Sequence, residues 1–154
     1  MRGVYDASAL ITSLVAAKTL LYITVPSTKI VEILSAAIEN YSNAASEQML
    51  ATWQKVNSLG TPTATTLTCA KHEDGDAAAG SVVKANVTAS EPSYVADTEL
   101  GRKGFPSVAG YFFGGAPEER IYIPPSATYG LRLIAPAVPV SFHCLVRCTF
   151  REIG

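Results

Sequence analysis

Between Gly114 and Pro136 two short apolar runs, Arg120 to Ile123 and Leu131 to Ile134, stand between Gly and Pro breakers. Alternating runs punctuated in this way are how paired strands of an antiparallel β domain are written. No nucleophile motif, metal-ligand cluster or phosphate loop lies beside them. Further runs extend the pattern. Lys18 to Val25 alternates and stops at Pro26, with Leu21, Ile23 and Val25 facing one way and Leu20, Tyr22 and Thr24 the other. Thr61 to Cys69 is rich in β-branched residues, and Val82 to Thr88 alternates again. Tyr111 to Phe113 and Val140 to Arg151 complete the set, the latter with Phe142, Cys144, Val146 and Cys148 on one side. Many short strands at turn-separated intervals predict an all-β sandwich or barrel rather than a parallel α/β sheet.

Two segments resist this reading. In Lys29 to Tyr41 the residues Ile30, Ile33, Leu34, Ala37, Ile38 and Tyr41 fit helical spacing. Glu47 to Asn57 fits a helix through Leu50 and Trp53, or a strand with Met49, Ala51 and Trp53 on one face. The connection from Ala89 to Ala109, punctuated by Pro92, Gly101, Gly104 and Pro106, reads as a long loop able to reach a partner.

The chain of 154 residues fits one domain that buries roughly two thirds of its unfolded surface. With 48% hydrophobic and 16% charged residues and a net charge of -1, it is neither a disordered tail nor an electrostatic binder of nucleic acid. Lys18 interrupts the apolar run Ala9 to Val25, so neither a membrane span nor an export signal is expected. Cys69, Cys144 and Cys148 are expected as core thiols: on one strand Cys144 and Cys148 would stand about 13 Å apart, beyond the roughly 7 Å of a disulfide.

Each motif that carries chemistry has a plainer reading beside it. His72-Glu73-Asp74-Gly75-Asp76 gathers metal-ligand types, yet it lacks the spaced acids of a calcium loop and reads as a solvated hairpin. The two histidines, His72 and His143, lie far apart, which disfavours a metal-dependent enzyme. Glu118 and Glu119 are neighbours unable to bracket one bond, and they read as loop charges pairing with Arg120 or another chain. Tyr111, Phe112 and Phe113, with Trp53, could form a sugar platform, but a run facing both sides of a strand reads as core plus interface. No catalytic residue, metal or cofactor is predicted, and the chain is not expected to be an enzyme.

The order of features resembles the decoration, or cement, proteins of tailed-bacteriophage capsids. The likeness lies in Lys18 to Pro26, Val31 to Leu34, Gly75 to Ala79, Pro117 to Pro125, Gly130 to Leu133 and Arg151 to Gly154. It implies a single-domain, jelly-roll-like antiparallel β-sandwich that binds the major capsid protein as a homotrimer on the outside of the virion shell. It makes Val31 to Ile38 a strand, a choice favoured by the β-rich surroundings, with Ala36 and Ala37 keeping a helix open. Residues 1–17 are an N-terminal arm or a first strand, and residues 18–154 the sandwich. Candidate interface residues are Tyr5, Leu10 and Leu14 in the first segment, Arg102, Lys103 and Phe105 in the long connection, and Glu118, Glu119 and Arg120. The alternative function is a carbohydrate- or receptor-binding sandwich of a virion.

Overall fold

The structure, a computed structural model, describes residues 3–14, 16–41, 47–114, 116–135 and 142–154. Its strands are β1 (Val4–Leu14), β2 (Lys18–Thr24), β3 (Ile30–Asn40), β4 (Gln48–Ser58), β5 (Thr63–Thr66), β6 (Ala70–Lys71) and β7 (Val82–Ala89). They continue as β8 (Ser93–Tyr94), β9 (Leu100–Pro106), β10 (Tyr111–Phe113), β11 (Ile121–Ile123), β12 (Thr128–Ala135) and β13 (Phe142–Ile153). A 3-10 turn, Pro117–Glu119, precedes β11.

Two antiparallel sheets pack face to face as a β-sandwich. The first runs β10-β3-β13-β1-β6, with β11 also paired to β3, and the second runs β5-β7-β2-β12-β4-β8, with β9 also paired to β4. The chain crosses between sheets at each step from β1 to β4, and again from β12 to β13. Because each sheet buries one face, alternate residues enter the space between them. Phe142, Cys144, Val146, Cys148 and Phe150 of β13 meet Leu21, Ile23, Trp53, Leu131 and Leu133 there. Each of the larger side chains contributes about 1.5–3 kcal/mol on burial.

Lys29 to Tyr41 resolves as a strand with a bulge. Thr149 pairs with Ser35 and Phe150 with Ile33, so Leu34 is an extra residue on β3. Core positions therefore fall at Val31, Ile33, Ala36 and Ile38, and the helical spacing combined Ile33 and Ile38 of the inner face with Ile30 and Tyr41 of the outer one. A second irregularity, Leu131 opposite Leu21 but Arg132 opposite Thr19, turns Leu20 into the core beside Leu21. The simple alternation predicted for that run fails at this point. Glu47 to Asn57 is a strand from Gln48 onward, with Met49, Ala51 and Trp53 buried.

The first segment is no free arm over its described residues. Val4 to Leu14 form β1, hydrogen-bonded to β13 along its length and to the two-residue β6 at Tyr5 and Asp6. Nor is Ala89 to Ala109 an open loop, since it contains β8 and β9, both paired to β4. Its first half lies across the outer face of the second sheet. Glu91 Oε2 accepts hydrogen bonds from Thr19 N (3.0 Å) and Thr19 Oγ1 (2.6 Å), and Thr19 Oγ1 also meets the Tyr94 hydroxyl at 2.6 Å. The Arg132 guanidinium sits 4.0 Å above the Tyr94 ring and donates to Gln54 Oε1 at 2.6 Å. Gln54 Nε2 in turn donates to Val95 O at 2.8 Å. Tyr22 and Thr52 beside this strap are buried, and burial pushes the Tyr94 hydroxyl up to about 12. The stretch 72–80 is not a hairpin either: β6 belongs to the first sheet and β7 to the second. It is tied to the start of the chain by Gly3 N donating to Asp76 Oδ2 and by the Tyr5 hydroxyl donating to Ala77 O.

Candidate docking face on the first sheet

The two outer faces of the sandwich differ in kind. The strap covers part of the second sheet, whereas the first sheet turns a row of large apolar side chains outward. Along β1, β3 and β13 the residues that alternate away from the core include Leu10, Glu32, Glu39, Leu145, Arg147 and Arg151, as their buried neighbours require. Phe112 lies opposite Ala37 and Tyr122 opposite Glu32, so both edge strands add an aromatic ring to the same face. Tyr41 prolongs β3 by donating its N–H to His143 O, and Ile30 pairs with Ile153 at the opposite end. Leu10, Ile30, Tyr41, Phe112, Tyr122 and Ile153 thus share one face, and all are exposed; Tyr122 and Phe112 expose 52% and 58%. Of the other exposed large hydrophobic residues, Val82, Leu100 and Val108, none lies on these strands.

Near one end of this face sits the strongest electrostatic feature described. Glu32, on β3, is fully buried although it points away from the core. Its Oε1 accepts hydrogen bonds from Arg120 Nη1 (2.9 Å) and the Tyr122 hydroxyl (3.0 Å), and its Oε2 pairs with Arg151 Nη2 at 2.5 Å. Tyr122 and Arg151 stand directly opposite Glu32 on the two neighbouring strands, which brings the three side chains side by side. Burial pushes the carboxyl up, but hydrogen bonds from Arg120 and Tyr122 and the charge of Arg151 outweigh it and hold Glu32 below its ordinary value. The same bond to Glu32 raises the Tyr122 hydroxyl. A buried carboxylate is tolerated only with such partners.

The sequence-predicted interface residues divide sharply. Tyr5, Leu14 and Phe105 are buried in the core, where inward alternation of β1 and β9 places them, and they offer no surface to a partner. Leu10 lies on the outer face, half exposed. Arg102 and Lys103 are exposed on β9, at the other sheet, with Arg102 donating to Glu99. Glu118 and Glu119 are exposed in the 3-10 turn. Arg120 does not pair with them; it reaches across to Glu32. Tyr111 enters the core while Phe112 faces outward, and Trp53 is fully buried, so the sugar platform of these rings with Trp53 is not assembled. Cys144 and Cys148 are free and buried on one strand, and Cys69 is free and partly buried. Among the described residues no group of three or more His, Cys, Asp or Glu is placed to hold a metal, and no helix is long and apolar enough to cross a membrane.

Sequence reasoning missed Glu32, Arg151 and Tyr122. The available signal was a lone acid inside the apolar run Ile30 to Leu34, because a carboxylate in such a strand requires cationic partners. No protein-family model matches the chain. Searches of curated proteins and of solved structures also return no match.

Proposed function

We propose that the protein is a structural, non-catalytic decoration protein that binds the outer surface of an icosahedral phage capsid as a homotrimer and stabilises the shell. The observation that carries this reading is the gathering of exposed Leu10, Ile30, Tyr41, Phe112, Tyr122 and Ile153 on one face of the first sheet. These side chains are interleaved with the charged pairs Glu32–Arg151 and Glu39–Arg147 of the same face, and association sites likewise combine exposed apolar and charged groups. The crossing of successive strands between sheets fits the jelly-roll-like wrapping of the family that the sequence resembles, and the trimer follows from the same resemblance. On this reading the major capsid protein covers the first sheet's outer face, and the contact must be broken before the capsomers separate.

The test is cosedimentation of the purified chain with shells of the major capsid protein. Saturation in multiples of three is expected, with binding lost when Leu10 and Phe112 are both replaced by Asp. Undiminished binding of L10D/F112D would refute the assignment of this face. A sugar- or receptor-binding module is the second reading, favoured by the exposed Phe112 and Tyr122 rings. Reproducible specificity on a glycan array would select it.

A further inference from the structure

We infer that Arg120 and Arg151, held by Glu32, form a socket for a carboxylate presented by the partner that covers the first sheet. The inference rests on the reading of this face as the docking surface and adds the chemistry of what seats there. Two guanidinium groups share one carboxylate, which leaves one positive charge uncompensated. Among the described residues Glu32 is the one carboxylate paired with either arginine. Glu118 and Glu119 stand beside Arg120 in the chain without pairing to it.

The surplus charge sits at the surface and not in the core. Glu32 is 0% exposed, while the Arg120 and Arg151 side chains keep 28% and 35% of their surface open. Each guanidinium carries five N–H donors in a planar fork suited to carboxylate oxygens, and the pairing with Glu32 uses only part of that capacity. The Nε–H groups of both are buried without a hydrogen-bond partner among the described residues. Tyr122, Ile30 and Ile153 border the cluster. A wholly apolar partner surface laid over these residues would bury an unpaired charge, which is strongly unfavourable. A partner carboxylate removes that cost and makes charge-assisted hydrogen bonds of the stronger kind. A polyanion such as nucleic acid fits less well, since the chain as a whole carries a net charge of -1 and offers no extended positive field.

The test titrates the free, full-length chain with sodium acetate, using sodium chloride and sodium phosphate at equal ionic strength as references, and follows the arginine Nε–Hε resonances by NMR. Saturable shifts of Arg120 and Arg151 with acetate are expected. Glu32→Gln raises the surplus from one charge to two and should tighten acetate binding at least threefold. Arg120→Gln cancels the surplus and should weaken it at least tenfold. A purely structural cluster would give the wild type a linear response like that of chloride, which overturns the inference without recourse to any variant. Equal acetate affinity in wild type and both variants would also overturn it, and saturation by phosphate at lower concentration than acetate would overturn the carboxylate assignment. The docking reading fails separately. If L10D/F112D still binds shells while acetate saturates, the socket stands and the face is misassigned; if shell binding is lost and acetate does not saturate, the socket alone is wrong.

Discussion

Replacing Glu32 by Gln keeps the shape of the side chain and removes the charge that holds two arginines. Breaking a buried ion pair by neutralising one partner costs about 3–5 kcal/mol, because the remaining charge loses its compensation. Here the outer parts of Arg120 and Arg151 are about one-third exposed, so water takes over some of the lost interaction and the lower end, about 3 kcal/mol, applies. For a domain of this length each kcal/mol lowers the melting temperature by roughly 2–4 °C, giving a fall of about 6–12 °C at neutral pH. The deficit should also depend on pH. Glu32 in the folded chain titrates below its ordinary value of 4.5. Its contribution is therefore fully present above the unfolded pKa and is lost as the pH falls through the folded one. Urea denaturation of wild type and E32Q, run in steps from pH 7 to pH 3, should show a gap that is widest at neutral pH and narrows below about 4.5. A gap under about 1 kcal/mol at pH 7, or one that stays constant over the whole range, would refute the assignment of Glu32 as a charged anchor.

Deletion of residues 1–17 should abolish cooperative folding, since β1 pairs with β13 from Val4 to Leu14 and places Tyr5, Ala7, Ile11 and Leu14 in the core; a truncated chain with native-like circular dichroism and a sharp melt would contradict this. Gly130→Ala would drive a Cβ into the Tyr94 hydroxyl and loosen the strap, with an expected loss of about 1–3 kcal/mol by urea denaturation. Burial pushes the Cys144 thiol up to about 12 and raises Cys148 still more strongly. Iodoacetamide at pH 8 should therefore leave both unmodified in the native protein, and rapid alkylation of either by mass spectrometry would show that the core opens readily. Light scattering of the purified chain should give a trimer mass, or a monomer that becomes trimeric only on the shell; isolated monomers in a shell reconstruction would refute the trimer.

The β-sandwich was legible because most strands carry their own punctuation. Pro26 ends the run before it, and β13 keeps Phe142, Cys144, Val146, Cys148 and Phe150 on one side without interruption. Where periodicity misled, apolar residues on both faces of a bulged strand were responsible. Leu34 shifts the parity of β3 between Ile33 and Ala36, and the helical set drew Ile33 and Ile38 from the inner face and Ile30 and Tyr41 from the outer one. A single strand read in isolation contains no sign of which residue is the extra one, because the bulge is defined by its partner on β13. The same limit hid the candidate docking face. Leu10, Phe112 and Tyr122 come from distant parts of the chain and share a surface only through the pairing of β1, β10 and β11 around β13 and β3. Tyr5, Leu14 and Phe105 were misplaced for the converse reason: segments suspected of reaching outward are paired strands, and their alternation turns these side chains inward.

On the decoration reading, the surface that meets the shell is the one that gives up least on binding. Clasping a partner with a released connection 89–109 would require the strap to leave the second sheet, breaking the bonds of Glu91, Tyr94 and Gln54 and loosening the cover beside buried Tyr22. At about 1.5–3 kcal/mol for each large side chain returned to water, that release would consume much of what a new contact contributes. Gly101 adds to the resistance: its backbone is left-handed at φ +58, and its carbonyl accepts a hydrogen bond from the Tyr111 hydroxyl at 3.0 Å, fastening β9 to the opposite sheet. The outer face of the first sheet demands no such rearrangement. Its side chains stand on three long paired strands and on the short edge strands β10 and β11 paired to β3, and its charged cluster is fixed by Glu32, so a partner meets a preformed surface and little binding energy is spent on ordering it. On the decoration reading this favours rigid-body attachment through β1, β3 and β13 over clasping by an extended segment.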